Sequence, residues 1–360
     1  MRVNDTWYRT IWRSDGRDTV SIIDQTRLPH AFEVIELASV DDAVRAIRDM
    51  QVRGAPLIGA TAAWGVWLAV RRDPSDAGLE AAVTALAAAR PTAINLRWAL
   101  DRMREAVAHV PPSGRADAAA AAASAICDDD VAINRAIGQH GLPLLEEVAR
   151  DRTDGRVRVL THCNAGWLAT VDWGTALSPI YRAHDAGLDV HVWVDETRPR
   201  NQGAALTAWE LGAHGVPHAV IADNAGGHLM QRGEVDLVLV GTDRTTASGD
   251  VANKIGTYLK ALAAADCGVP FYVALPTPTI DWSLTDGMTI PIEERDADEV
   301  TRMTGRTDDG QIVAVTLTPD GSAAANPAFD VTPARLVTGF VTDRGVCPAG
   351  GLRGLYPERR

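Results

Sequence analysis

The chain has 360 residues, with 35 Lys and Arg against 47 Asp and Glu and a net charge of −12. It is long enough for two ordinary domains, and too acidic to point to nucleic acid or a membrane surface as partner. Hydrophobic residues at 46% and charged residues at 23% are those of a globular chain and exclude a disordered or fibrous one.

In chain order, residues 19–24 (TVSIID) are β-branched and predict a short strand. Ser39, followed by Asp41 and Asp42 and then Val44, Ile47 and Met50 at helical spacing, predicts a capped amphipathic helix. Residues 54–70 are apolar, contain Pro56 and fall short of a membrane span; they predict a buried helix entered through a tight loop. The Ala-rich residues 116–126 predict another helix. Together these elements suggest an N-terminal domain over residues 1–130, mostly helical with short strands.

From about Arg156 short apolar runs recur at the intervals of βα units: 157–160, 190–194, 216–221, 237–240, 271–275 and 336–341. Being apolar on both faces, they predict a parallel sheet covered by helices at 177–186, 204–213 and 251–265. Residues 131–360 are thus expected to form a Rossmann-like open parallel sheet domain, and the fold class is α/β. Four cysteines, Cys127, Cys163, Cys267 and Cys347, are scattered without a C-x-x-C, so neither a zinc site nor a disulfide framework is indicated. The N-terminal stretch is charged throughout and lacks an apolar signal core, which makes a cytoplasmic setting the expectation.

Polar residues of unusual specificity follow the first four runs: THCNAG at 161–166, DETRPRNQG at 195–203, DNAGGH at 223–228 and GTDR at 241–244. In an open parallel sheet, ligands bind beyond the carboxyl ends of the strands, so these loops should meet in one crevice. Cys163 reads either as a packed small residue or as a thiol presented to that crevice. Asp243 is either a cap or ion-pair partner, or a carboxyl whose burial raises its pKa enough for general acid work. Asp250 looks like the N-cap of a helix beginning at Val251, which would set Asn253 and Lys254 in a first turn suited to phosphate. Arg53, Gly54 and Ala55, before Pro56, offer a second cationic side chain beside open backbone N–H groups. Neither a G-x-G-x-x-G nor a Walker sequence is present, so no cofactor is called for, and His214 and His218, separated by Gly215 and Pro217, do not read as a metal pair.

The motifs RGAPLIG (53–59), RPTAINLRWAL (90–100), THCNAG (161–166), ETRPRNQGAALTAWEL (196–211), GTDRTTASGDVANKIGTY (241–258), IPIEERDADEV (290–300) and NPAFDVTPARLVTGFVTDRGV (326–346) resemble the methylthioribose-1-phosphate isomerase family. That family shares its fold with ribose-1,5-bisphosphate isomerases and with the regulatory subunits of a translation-initiation exchange factor. The resemblance implies an aldose-to-ketose isomerisation in methionine salvage, acting on a small sugar phosphate without cofactor or metal, and a homodimer. It implies that Cys163 and Asp243 are catalytic and that Arg53, Gly54, Ala55, Arg90, Gln202, Asn253 and Lys254 bind substrate; Arg90 and Gln202 come from the resemblance alone.

Four departures from the family pattern concern substrate: Arg200-Asn201 before Gln202, Ala205, Trp173 within residues 171–174, and the DNAGG stretch at residues 223–227. They leave 5-deoxyribose 1-phosphate and ribose 1,5-bisphosphate open as substrates. A non-catalytic, exchange-factor-like subunit is the reading of a different class, and it predicts loss of the thiol and the acid, both of which are present.

Overall fold

The computed structural model describes residues 1–14 and 16–359. A two-stranded ribbon, β1 (Arg2–Val3) and β2 (Thr6–Trp7), precedes an antiparallel sheet of β3 (Ile11–Arg13), β4 (Val20–Ile23) and β5 (Val34–Leu37). Helix α1 (Val40–Arg48) starts as expected: Ser39 Oγ accepts from the Asp42 N–H at 3.2 Å, and the Asp42 carboxylate reaches back to the Ala38 N–H at 3.0 Å. Helix α2 (Ala55–Arg72) is buried nearly all round, which explains its lack of a polar stripe. With α3 (Asp76–Ala89) and α4 (Ile94–Val107) it forms a helical core around Trp64, Trp67, Leu86 and Met103.

A 37-residue helix, α5 (Arg115–Asp151), then carries the chain from this helical layer to the large sheet. At 1.5 Å per residue it is about 55 Å long. Its N-terminal half packs in the helical core through Ala119, Ala123 and Ile126, and its C-terminal half packs under the sheet through Ile137 and Leu145. Residue 130, where a junction was expected, lies inside this helix.

The large sheet is built from β6 (Val157–Thr161), β7 (Val190–Asp195), β8 (His218–Ile221), β9 (Leu237–Val240), β12 (Phe271–Ala274), β17 (Gly339–Thr342) and β18 (Gly345–Pro348), in the order β18-β17-β12-β9-β6-β7-β8. Every pairing is parallel except β17 with β18. Helices α6 (Leu177–Asp185), α7 (Ala208–His214), α8 (Ala225–Gln231) and α9 (Thr257–Cys267) cover it. The strand order reverses between β6 and β9, where crossovers leave in opposite directions and open a crevice at the strand C-termini. Cys163 follows β6 and Asp243 follows β9.

One expected helix is wrong at its start. Residues 251–254 form strand β11 (Val251–Lys254), paired antiparallel with β10 (Arg244–Thr246) and with β16 (Phe329–Thr332), while β13 (Ile280–Asp281) lies on the far side of β10. The helix begins only at Thr257. Asp250 is therefore not a helix cap; its two carboxylate oxygens accept from the Gly287 and Ala334 N–H groups at 2.9 Å each. The sequence VANKIGTY fits the apolar stripe of a helix, but long-range pairing to residues 329–332 overrides that local pattern. A short helix, α10 (Asp298–Thr301), leads into an exposed hairpin of β14 (Arg302–Arg306) and β15 (Ile312–Thr316).

Candidate active site

Cys163 and Asp243 line one small cavity of about 30 Å³, together with Arg53, Asn164, Thr242 and Asn253. A second cavity of about 710 Å³ adjoins it through Arg53, and Gln202, Pro199, Met50 and Leu206 are among its walls. Of the residues expected at the site, Arg53 touches both cavities, Gly54 and Ala55 belong to the smaller, and Gln202 to the larger. The buried Gln202 Oε1 has no hydrogen-bond partner among the described residues, which suits a group awaiting a ligand. Arg90 pairs with Glu293 at 3.2 Å and leaves its buried Nε without a partner.

The backbone around the thiol is held in an uncommon conformation. Cys163 has φ of +67° and Thr197 of +64°, a region that β-branched residues such as threonine rarely enter. The two are tied together: Thr197 Oγ1 accepts from the Cys163 N–H at 2.8 Å and donates to the Asp195 carbonyl at 2.9 Å. Thr207, in a wide π-helical turn at Gly203–Thr207, donates its hydroxyl to the Cys163 carbonyl at 2.7 Å. Both backbone groups of Cys163 are thus satisfied by side chains from the neighbouring strand's loop and helix, which fixes the backbone that presents the thiol.

Asp223, after β8, spends both carboxylate oxygens on the Thr197 and Arg198 N–H groups, at 2.7 and 2.8 Å. It braces the loop and is not placed as an alternative acid. Beneath the loop, His162 is hydrogen-bonded to Asp195 and to the Ile255 carbonyl, each at 2.8 Å, and Lys260 lies 3.2 Å from the same Asp195 carboxylate. His162, Asp195 and Asp223 stand close enough to hold a cation, and the Lys260 ammonium already serves that cluster through Asp195 and the Asp223 carbonyl.

The electrostatics follow from burial opposed by cations. Burial pushes the Asp243 carboxyl above its ordinary pKa, and Lys254, Arg90 and Arg53 only partly reverse the rise. The Cys163 thiol is likewise raised by burial, against the pull of Arg53 and Lys254, so it stays protonated at neutral pH. Lys254, buried on β11 with its ammonium 4.9 Å from the Phe329 ring centre, is lowered by desolvation. Three cations, the Asp243 carboxyl, the Arg90-paired Glu293 and one thiol therefore cluster at the sheet's switch point. Such a site suits an anionic substrate and proton transfer within it.

Among the departures noted in the sequence, Arg200 pairs with Glu299 at 3.0 Å, and it lines the larger cavity with Asn201 and Ala205. Trp173 does not: it lies under the Arg182 guanidinium, 4.7 Å from the ring centre. Nothing in the local sequence marks Thr197, Thr207 and Glu210, whose roles arise from contacts between segments more than 30 residues apart.

Crevice, fold, buried acid and surrounding cations define a class: an α/β enzyme suited to a small anionic substrate. Residues 51–349 match the initiation factor 2 subunit family. Methylthioribose-1-phosphate isomerase of Methylorubrum extorquens is 67% identical to the chain, the alignment covering 100% of it and 99% of the relative. The protein of the same name from Rhodospirillum rubrum is 65% identical, over 100% and 94%. Among solved structures, 5-methylthioribose 1-phosphate isomerase from Pyrococcus horikoshii superimposes with a TM-score of 0.85 at 39% identity, over 98% and 96% of the two chains. The delta subunit of translation initiation factor eIF-2B from A. fulgidus gives 0.79 at 37%, over 98% and 99%. The chain belongs to the initiation factor 2 subunit family, within its methylthioribose-1-phosphate isomerase branch.

Proposed function

We propose that the protein isomerises 5-methylthioribose 1-phosphate to 5-methylthioribulose 1-phosphate, with Asp243 as proton donor and Cys163 beside the reacting carbons. The observation that carries the reading is the pairing of a buried, proton-retaining carboxyl with a thiol at the switch point of the sheet. Because the anomeric oxygen of this substrate is phosphorylated, the ring cannot open as a free hemiacetal does. Asp243 gives its proton to the ring oxygen as the bond from C1 to that oxygen breaks, and the electron deficit at C1 is filled by hydride from C2. The C2 hydroxyl becomes a carbonyl, and the proton it releases restores the acid. A thiol kept protonated by burial is suited to hydrogen-bonding the C2 oxygen in this step rather than to removing a proton from carbon.

Arg53, Arg90 and Lys254 would hold the phosphate, with Gly54, Ala55 and Asn253 shaping the wall around it and Gln202 reaching the sugar from the larger cavity. Presence of Cys163, Asp243 and Lys254 together weighs against a purely regulatory subunit. The division into an N-terminal domain to about residue 130 and a catalytic domain beyond it belongs to the same proposal; the helical layer and the sheet each centre on their own cluster of buried residues, although Met1, Val3, Ile23 and Leu28 join the sheet's cluster and Val171 joins the helical one. Homodimeric, cytoplasmic action completes it. The free thiols of all four cysteines and the exposed Ile312, Val315 and Leu317 at the hairpin support those two points. The test is turnover of 5-methylthioribose, 5-deoxyribose and ribose 1-phosphates side by side, each deuterated at C2. Fastest turnover of the methylthio sugar, with deuterium kept at C1, is the expected result; loss of the label to water would replace the hydride step by an enediol.

A further inference from the structure

An asparagine amide is nearly symmetric in shape and opposite in polarity at its two ends, so something must choose which end faces which neighbour. At Asn164 the neighbours are Arg53 on one side and Glu210 on the other. Arg53 donates to Asn164 Oδ1 at 2.5 Å and to the Asn164 carbonyl at 2.9 Å. Asn164 Nδ2 donates to Glu210 Oε1 and to Thr207 Oγ1, the latter at 3.2 Å. Thr207 in turn holds the Cys163 carbonyl. One amide therefore joins the arginine to the segment that presents the thiol.

Glu210 lies on α7 and is fully buried. Its second oxygen accepts from the Leu168 N–H at 3.3 Å, and Gly166 leaves the room it occupies, since a Cβ at that glycine would collide with the Glu210 carboxyl. No lysine or arginine pairs with it among the described residues. A carboxylate in that position is expensive to bury, and a glutamine of the same shape would be cheaper. Above the pH of about 7 to which burial raises its ionisation, what a carboxylate offers and glutamine does not is a pair of oxygens that only accept, and kinetics measured above that pH report it.

We propose that Glu210 is a positioning residue: by accepting from Asn164 Nδ2 it turns Asn164 Oδ1 toward Arg53 and so aims the guanidinium at the substrate phosphate. This rests on the reading of Arg53 as a phosphate ligand. Replacing Glu210 by Gln lets the new amide donate to Asn164, whose own amide then turns and presents NH2 to the Arg53 cation. The guanidinium loses an acceptor and gains a like-polarity neighbour.

The experiment measures KM and kcat for wild type, Glu210→Gln, Arg53→Ala and the double variant Glu210→Gln with Asn164→Asp, using 5-methylthioribose 1-phosphate, together with the Kd of inorganic phosphate. Glu210→Gln is expected to raise KM and the phosphate Kd about tenfold or more, the scale of a lost hydrogen bond to a charged group, with a smaller change in kcat. The double variant restores both to within about threefold of wild type, because a carboxylate at position 164 accepts from the new amide at position 210 on one side and from Arg53 on the other. A merely structural glutamate does not predict that rescue. If Arg53→Ala raises KM while Glu210→Gln leaves it unchanged, or if Asn164→Asp deepens the loss, Glu210 does not position Arg53. An Arg53→Ala variant with unaltered KM and phosphate affinity overturns the phosphate reading itself, and this proposal with it. Should Glu210→Gln fail to fold, the double variant decides alone: a KM near wild type supports the proposal and a tenfold rise refutes it.

Discussion

At the scale of single residues, the site depends on burial outweighing nearby positive charge. Asp243 faces the pull of Lys254, Arg90 and Arg53, yet desolvation leaves its pKa raised, which is what a donor to a ring oxygen requires. Asp243→Asn should lower kcat by about 10²–10⁴-fold while phosphate affinity changes little, since asparagine keeps the shape and has no acid proton. The sign of the pH dependence follows: the donor works while protonated, so kcat should fall on the alkaline side, with an apparent pKa above that of a free aspartate. An Asn variant within about tenfold of wild type would place the acid elsewhere. Cys163→Ala tests the thiol's hydrogen bond in the same way. Its backbone is fixed by Thr197 and Thr207 and does not depend on sulfur, so the variant should fold normally and lose turnover by steady-state assay.

At the scale of elements, the side of the site proposed to hold phosphate is built from a helix start and a strand. Gly54 precedes α2 with φ of +90°, and a Cβ there would run into the Ala169 backbone. Gly54→Ala should therefore cost more than about 1 kcal/mol in thermal or urea unfolding and raise KM, because Arg53 is the adjoining residue. An unchanged melting curve would contradict this packing. Lys254 sits on β11 opposite Phe329 rather than in a helical turn, so its ammonium is placed by cross-strand register. Lys254→Ala should raise KM more than it lowers kcat, as loss of a charge that binds ground and transition states alike. The phosphate role proposed for Lys254 is supported by its nearness to Cys163 and Asp243, although the helix invoked to explain it does not exist.

At the scale of the whole molecule, a few buried carboxyls link stability to pH. Glu210 is raised by burial to about 7 from an ordinary 4.5, partly offset by its bond to Asn164; Tyr181 and the Leu168 N–H also face it. A carboxyl whose pKa is higher in the folded state makes folding weaker as pH rises between those two values, because the unfolded chain ionises first. Glu210→Gln removes that contribution. Its melting temperature relative to wild type should rise from about pH 4.5 to about 7 and then level off, by calorimetry across that range. A constant difference would mean that Glu210 does not titrate in the folded protein. The same substitution is expected to weaken substrate binding, so here a stabilising change and a functional one oppose each other.

Local sequence determined the βα alternation, the capped start of α1, the tight entry into α2 and the positions of Cys163 and Asp243 just past their strands, because each depends on side-chain periodicity or turn chemistry within a few residues. It also marked three of the four loops at the crevice, since the strand-end rule needs only that the strands be parallel, whereas residues 223–228 line neither cavity and run into α8. What tertiary structure alone decided lies in contacts between distant segments. Strand β11 exists because residues 329–332 pair with it; the φ of Cys163 is held by Thr197 and Thr207; the Asn164 amide is oriented by Glu210. A helical and an extended reading of residues 251–254 differ little in local free energy, and a buried carboxylate carries no mark in sequence of the amide it will meet. Pairing, burial and hydrogen-bond polarity decide such cases, and they come into being only when the sheet and its loops have closed.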